Sequence, residues 1–258
     1  MSRVERAAWS FVAPALIAIS LFFALPVLGA LLLSVTDFDI YALADSRNLR
    51  VVGLENYSRL FENPLFWGAM SNTLWFVFIG TPLSIVASLA AALLLNSRIV
   101  RLKPIWRVAL FAPYVTTLVA TAVVWRYLLH TRYGLINAGL SELGAPPVDW
   151  LGDPNWALPA ILLFVIWKTF GYNMLIFLAV LQTVPDELHD AARVDGAGPW
   201  QRFRHVTLPA IGPAVILVSI VSMAGFFQLF AEPYVMTQGG PSQRTVTILY
   251  FMYEEGFK

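Results

Sequence analysis

Five apolar stretches, residues 9–35, 66–95, 108–129, 156–181 and 210–231, set the terms for this chain. A helix needs about 20 apolar residues to cross the hydrocarbon core of a bilayer, and each stretch reaches that length. The first is well beyond the roughly 7 to 15 residues of a secretory leader core, so it reads as a span. Only 13% of the residues are charged, against about 25% in an ordinary soluble domain. The fold class expected is therefore all-α: a polytopic membrane helix bundle with five spans, forming a single transmembrane domain over residues 1–258. Prolines 14, 26 and 113 fall inside the spans, and the second span carries Ala87, Ser88, Ala90, Ala91 and Ala92, small residues that let helices approach closely.

The connecting segments carry an orientation. One set, comprising the N-terminus, residues 96–107 and residues 182–209, holds nine basic residues: Arg3, Arg6, Arg98, Arg101, Lys103, Arg107, Arg193, Arg202 and Arg204. The opposite set holds six: Arg47, Arg50, Arg59, Arg132, Arg244 and Lys258. Basic residues concentrate on the cytoplasmic side, which places the N-terminus and the 182–209 loop inside. Residues 232–258 then form an extracytoplasmic segment. A net charge of +1 without a basic patch speaks against a nucleic-acid partner, while membrane lipid is a necessary neighbour.

The cytoplasmic loop is the most structured of the connections. Pro185 can open a helix, and Asp186 and Glu187 lie where the helix dipole favours anions. Leu188, Ala191, Ala192 and Asp195 recur at helical spacing and share a face. Gly196 is placed to terminate that helix and Gly198-Pro199 to turn the chain. Trp200, Phe203 and Val206 can line a second short helix, with Leu208-Pro209 at its end. The loop is either an ordinary polar connection or a knuckle that another protein grips.

Asp190-Ala191-Ala192, Gly196 and Val206-x-Leu208-Pro209 resemble the E-A-A-x(3)-G-x(9)-I-x-L-P motif of ABC importer permeases. Asp195-Gly196-Ala197 and Phe203 to Pro209 are similar to its carbohydrate-uptake branch, as are Gly134 to Asn137, Trp150-Leu151 and Thr237-x-Gly239-Gly240-Pro241. Asp190 stands where glutamate is usual and Val206 where isoleucine is usual. The resemblance implies that the loop docks into a cleft of an ATPase subunit through Asp190, Ala191, Ala192, Asp195, Gly196, Ala197, Phe203, Leu208 and Pro209. It further implies a prokaryotic cytoplasmic membrane, a second permease subunit, two ATPase subunits, an extracytoplasmic solute-binding protein and a sugar-like solute. On that reading ATP and Mg are bound by the partner ATPase, and this chain holds no cofactor. Permeases of this type usually carry a sixth span, expected after Lys258.

No catalytic or metal site is expected. The nearest approach to a P-loop, Gly134 to Gly139, is followed by Leu140-Ser141 where Lys-[ST] is required. His130, His189 and His205 lack metal-ligand spacing, and the chain has no cysteine. Ionisable groups within spans are costly and therefore functional candidates. Arg126 is near enough to a span end to snorkel. Lys168, about twelve residues into its span, must face protein or water; with Tyr172 and Asn173 it lines a solute path, or it forms a structural ion pair or carbonyl contact. Phe226, Phe227 and Gln228 either extend that path or pack against lipid. The reading is an ATP-driven importer permease. An ion-gradient-driven secondary transporter and a non-transporting scaffold are the alternatives, the former disfavoured because no buried acid or histidine relay lies in a span.

Overall fold

In the computed structural model, residues 3–38, 49–97 and 99–257 are described. Arg47, Arg98 and Lys258, used above in reading the loops, lie outside them, as do the side chains of Arg3 and Arg6. All regular elements among the described residues are helical. The chain divides into two compact units, residues 1–64 and 65–258.

In the first unit α1 (Arg3–Ile19) runs through a π turn (Ser20–Ala24) into α2 (Leu25–Leu33). Residues 8–33 are continuously apolar and none of that window is buried within the chain, so these side chains require lipid or another protein around them. A short helix, α3 (Glu55–Glu62), is tied to the end of α2. Asn56 donates to the carbonyls of Ser34 and Thr36 at 2.9 and 2.8 Å, and the Tyr57 and Ser34 hydroxyls lie 2.7 Å apart.

The second unit is built around α9 (Ala157–Leu181). This helix is apolar on all sides, as a helix enclosed by others must be. It packs against α5 (Thr81–Asn96), α6 (Lys103–Val115) and α13 (Gly212–Phe227). One apolar cluster joins Phe76, Trp125, Ile161, Phe164 and Phe226, and another joins Leu95, Met174, Phe177, Ile211 and Val218. A polar layer links the same helices: the buried Asn173 amide donates to the hydroxyls of Ser84 and Ser222 at 3.2 and 3.0 Å.

Among the described residues three helices are long and apolar enough to span: residues 8–33, 64–96 and 157–181. The other two expected spans are not straight. The third, read as 108–129, is broken between α6 and α7 (Leu118–Leu128), which meet at 99° across Thr116-Thr117. The fifth, read as 210–231, starts after a 69° bend at Ile211 and ends at Phe227, and α14 (Ala231–Met236) is a separate helix. The knuckle's second helix ends one residue past Leu208-Pro209, at Ala210. It continues from α11 (Pro199–Arg202) through a π turn (Phe203–Thr207) into α12 (Leu208–Ala210).

Proline explains that continuity. Each of the three π turns among the described residues, the third being Phe76–Gly80 ahead of α5, is followed by an X-Pro pair: Leu25-Pro26, Thr81-Pro82 and Leu208-Pro209. A helical proline lacks its N–H, and its ring clashes with the carbonyl four residues back. In every case that carbonyl, of Phe22, Phe78 or His205, belongs to the wider turn. The Leu25 and Leu208 amides reach five residues back, to Ser20 and Phe203, so the helix widens locally instead of ending.

The Thr237 to Thr247 segment is pinned to α4 (Pro64–Trp75), which opens the second long helix; α8 (Leu135–Glu142) follows α7. The Asn72 amide donates to the Val246 carbonyl at 2.9 Å, and the Ile248 amide donates to the Thr73 hydroxyl at 2.8 Å. Buried Thr245 bonds to Gly240 and Thr237 at 2.8 and 2.7 Å, beside a cis Gly240-Pro241 peptide. The helix α15 (Ile248–Phe257) follows.

Candidate functional site

The loop between α9 and α13 folds as two short helices around a glycine turn. The first, α10 (Asp186–Val194), follows Pro185 and carries Asp186 and Glu187 in its first turn. Asp195 caps it, and Gly196 adopts φ = +79°. The Gly196 amide donates to the Arg193 carbonyl at 3.1 Å and the Ala197 amide to the Ala192 carbonyl at 2.9 Å. Such paired bonds close a helix when the turn residue is left-handed, which is cheap only without a Cβ. The Gln201 side chain then accepts from the Gly198 amide at 2.8 Å, setting the start of α11.

Apolar side chains remain uncovered on this knuckle: Leu188, Val194 and Trp200 are all exposed, Val194 to 89%. A hollow of about 300 Å³ lies between the helices, lined by Ala192, Asp195, Gly196, Ala197, Gln201 and Arg202 among others. Asp190 faces outward and pairs with Arg193 at 2.6 Å. Ala191 is exposed, Phe203 stacks on Trp200, and Leu208 and Pro209 are exposed further along, outside the hollow. Beyond its two chain neighbours, nothing in the chain comes within 4 Å of where a Gly196 Cβ would be. The shape is a small open saddle with apolar rims, suited to a protruding or concave protein partner.

A second cavity, of about 230 Å³, opens between α6, α9, α13 and α14. Tyr114, Thr169, Tyr172, Asn173, Ser222 and Glu232 supply its polar side. The Tyr114 and Tyr172 rings stack at 4.8 Å and 15°, and Phe226 adds an apolar wall. Of the residues singled out in sequence, Tyr172, Asn173 and Phe226 line this cavity. Phe227 and Gln228 do not: both are exposed at the end of α13. Tyr114 and Glu232 were not anticipated. Glu232 follows Phe230-Ala231 directly and in sequence belongs to the extracytoplasmic segment; only the turn after Phe227 brings it back onto the cavity. Aromatic faces beside amide, hydroxyl and carboxyl groups suit a ring that is apolar on its faces and hydroxylated at its edge.

Lys168 is buried and points elsewhere. Its ammonium donates to the Pro113 carbonyl at 3.0 Å, the Thr116 carbonyl at 2.7 Å and the Thr116 hydroxyl at 3.3 Å. These groups end α6, where the break strips carbonyls of their helical partners and the dipole favours a cation. Of the roles open to Lys168 in sequence, the geometry is the carbonyl contact; it does not line the cavity. Lys168→Met removes this cap while keeping the apolar stem. It should destabilise the detergent-solubilised protein by about 1–3 kcal/mol, read as a lower melting temperature. An unchanged melting curve would mean that the break holds without it.

Arg126 is exposed and donates to the Val235 carbonyl at 3.2 Å. It borders a polar cleft of about 320 Å³ with His130, Asp149 and Gln238. Among the described residues no group of three or more His, Cys, Asp or Glu is arranged to hold a metal.

The family model described as binding-protein-dependent transport system inner membrane component matches residues 11–257. The lactose transport system permease protein LacF of Rhizobium radiobacter is 35% identical over 254 residues, 97% of this chain and 83% of that protein. The sulfoquinovosyl glycerol transport system permease protein SmoG of Agrobacterium fabrum is 36% identical, over 94% of this chain and 77% of that one. The sn-glycerol-3-phosphate transport system permease protein UgpA of Pectobacterium atrosepticum is 34% identical, with 98% and 85% covered. In fold the chain matches a subunit of a bacterial ABC transporter involved in alginate import, with a TM-score of 0.81 at 22% identity, over 99% of this chain and 85% of that one.

Proposed function

This chain belongs to the family of binding-protein-dependent transport system inner membrane components, and from that premise we propose that it is the membrane-spanning permease subunit of an ATP-driven importer for a sugar or related polyhydroxylated solute. The relative named for lactose supports the solute class. The observation that carries the mechanism is the exposed knuckle: a glycine-turned helix pair with uncovered apolar residues, joined on both sides to helices of the bundle.

In this reading the chain performs no covalent chemistry. Two ATPase subunits bind ATP and Mg and grip the knuckle through Asp190, Ala191, Ala192, Asp195, Gly196 and Ala197, with Phe203, Leu208 and Pro209 along its second arm. Their closure moves the α10–α11 lever, and the 69° bend at Ile211 passes that motion to α13. A second permease subunit completes the pore, and an extracytoplasmic binding protein delivers the solute. The solute passes the cavity at Tyr172, Asn173 and Phe226. The N-terminus and the knuckle face the cytoplasm. An ion-driven carrier or an inert scaffold would have no use for a built docking loop.

Co-purification and labelling test this together. The tagged chain should bring down an ATPase from its native membrane. Single cysteines replacing Arg202 and Glu142, in a chain with none of its own, should react oppositely with an impermeant reagent on intact cells: position 142 labelled, position 202 protected. Labelling at 202 alone would invert the topology and remove the docking argument.

A further inference from the structure

The cavity between α6, α9, α13 and α14 has an uneven charge composition. Its polar lining consists of two phenols, hydroxyls, one amide and one carboxyl group, that of Glu232. No lysine or arginine lines it. The cation nearest in sequence to the Tyr172–Asn173 wall is Lys168, and its three N–H groups are directed at Pro113 and Thr116. The Asn173 amide hydrogens are similarly engaged, by Ser84 and Ser222. The wall therefore offers a carboxyl group and hydroxyls to an incoming solute; the Lys168 ammonium is felt by Glu232 through space but is not among the lining groups.

We propose that Glu232 makes this cavity a charge filter, passing neutral or amine-bearing saccharides and rejecting those that carry a carboxylate, sulfonate or phosphate. The inference rests on the reading of the cavity as the solute path. The filter acts through the ionised carboxylate: burial opposes that charge and holds the Glu232 carboxyl above its usual range, but once formed it repels a like charge within a few ångströms far more strongly at the low effective dielectric of a helix bundle than in water. An anionic substituent entering here exchanges its hydration for a carboxyl neighbour and gains no countercharge. An ammonium exchanges its hydration for an acceptor of opposite sign, and a neutral hydroxyl loses little either way. Glu232 touches the solute on this account, so it sets specificity directly.

The cysteine-free background allows a direct test on the assembled importer. Thr169 lines the same cavity and is half-buried, and its hydroxyl bonds only to the Val165 carbonyl of its own helix at 2.8 Å. Thr169→Cys thus places a thiol in the cavity without disturbing the Asn173 network. The probes are two small methanethiosulfonate reagents of similar size, one ending in trimethylammonium and the other in sulfonate. Each rate is normalised to that of a free thiol in solution.

The expected result is a cation-to-anion rate ratio of about tenfold or more, the effect of one charge–charge interaction of about 1.4 kcal/mol. Adding Glu232→Gln, which keeps the size and hydrogen-bonding reach, should bring the ratio to within about threefold of the free thiol. Glu232→Asp should preserve the preference, which guards against a folding defect of the glutamine variant. Equal rates for both reagents, or a preference that survives Glu232→Gln, overturns the filter and leaves the path standing. A thiol at 169 inert to both reagents overturns the path reading and the filter with it.

Discussion

Gly196→Asp should abolish uptake while the permease still folds and enters the membrane. Aspartate tolerates a left-handed backbone better than most residues, so holding φ = +79° at this position costs about 1 kcal/mol. Beyond its two chain neighbours, no atom lies within 4 Å of the new Cβ, and no contact within the bundle is touched. The added carboxylate projects into the open saddle, where a docking partner would approach. A loss of uptake of about 100-fold or more corresponds to about 2.7 kcal/mol of lost docking or coupling. Gly196→Asn, of nearly the same shape and without the charge, should fall between that and wild type. Asp190→Ala should be milder than either, because its exposed pair with Arg193 is worth about 0–1 kcal/mol. The measurement is uptake of labelled solute beside the amount of ATPase retained on the purified complex. Wild-type uptake by Gly196→Asp would reduce the loop to a connector.

The knuckle was legible because its signals are local. Pro185, Gly196 and Pro199 each specify a backbone conformation within one turn of themselves, and the structure places helix ends where they demand. The existence of five apolar stretches was legible for a similar reason, since hydropathy sums over neighbours. Straightness was not. Thr116-Thr117 is compatible with a continuous apolar helix, and the break there depends on Lys168, more than fifty residues later, to satisfy the carbonyls it frees. Pro209 reads as the helix end, and the helix does stop one residue later at Ala210; what sequence hid is the wider turn at Phe203–Thr207 ahead of it. Glu232 lies just beyond the fifth apolar run and reads as solvated, whereas the turn between Phe227 and Ala231 folds it back to Tyr172 and Asn173. What sequence hid in each case was a long-range contact or a change of chain direction.

Gly171→Val should damage the fold itself, and the reason lies in one helix crossing. A Cβ at Gly171 would fall onto the Leu110 carbonyl oxygen, with the Leu110 carbonyl carbon at 2.9 Å and the Phe111 Cα at 3.0 Å. The obstacle is backbone, so no rotamer change relieves it; α6 must move away from α9. That movement would strain two adjoining contacts, the Lys168 cap on Pro113 and Thr116 and the Tyr114–Tyr172 stack. In lipid, helix association depends on such close packing and polar contacts rather than on a hydrophobic drive. Overpacking alone costs about 1–3 kcal/mol, and the coupled losses place this variant at or above the upper end. Gly225→Ala is the control: it lies in a neighbouring helix of the same bundle, and its Cβ would meet nothing within 4 Å, so stability should stay within about 0.5 kcal/mol. Size-exclusion profiles and melting curves of the detergent-solubilised protein separate the two. The expected outcome is an aggregated or early-melting Gly171→Val beside a native Gly225→Ala. Matching melting curves would show that α6 and α9 have room to part, and that the small residue at 171 is not what holds the crossing close.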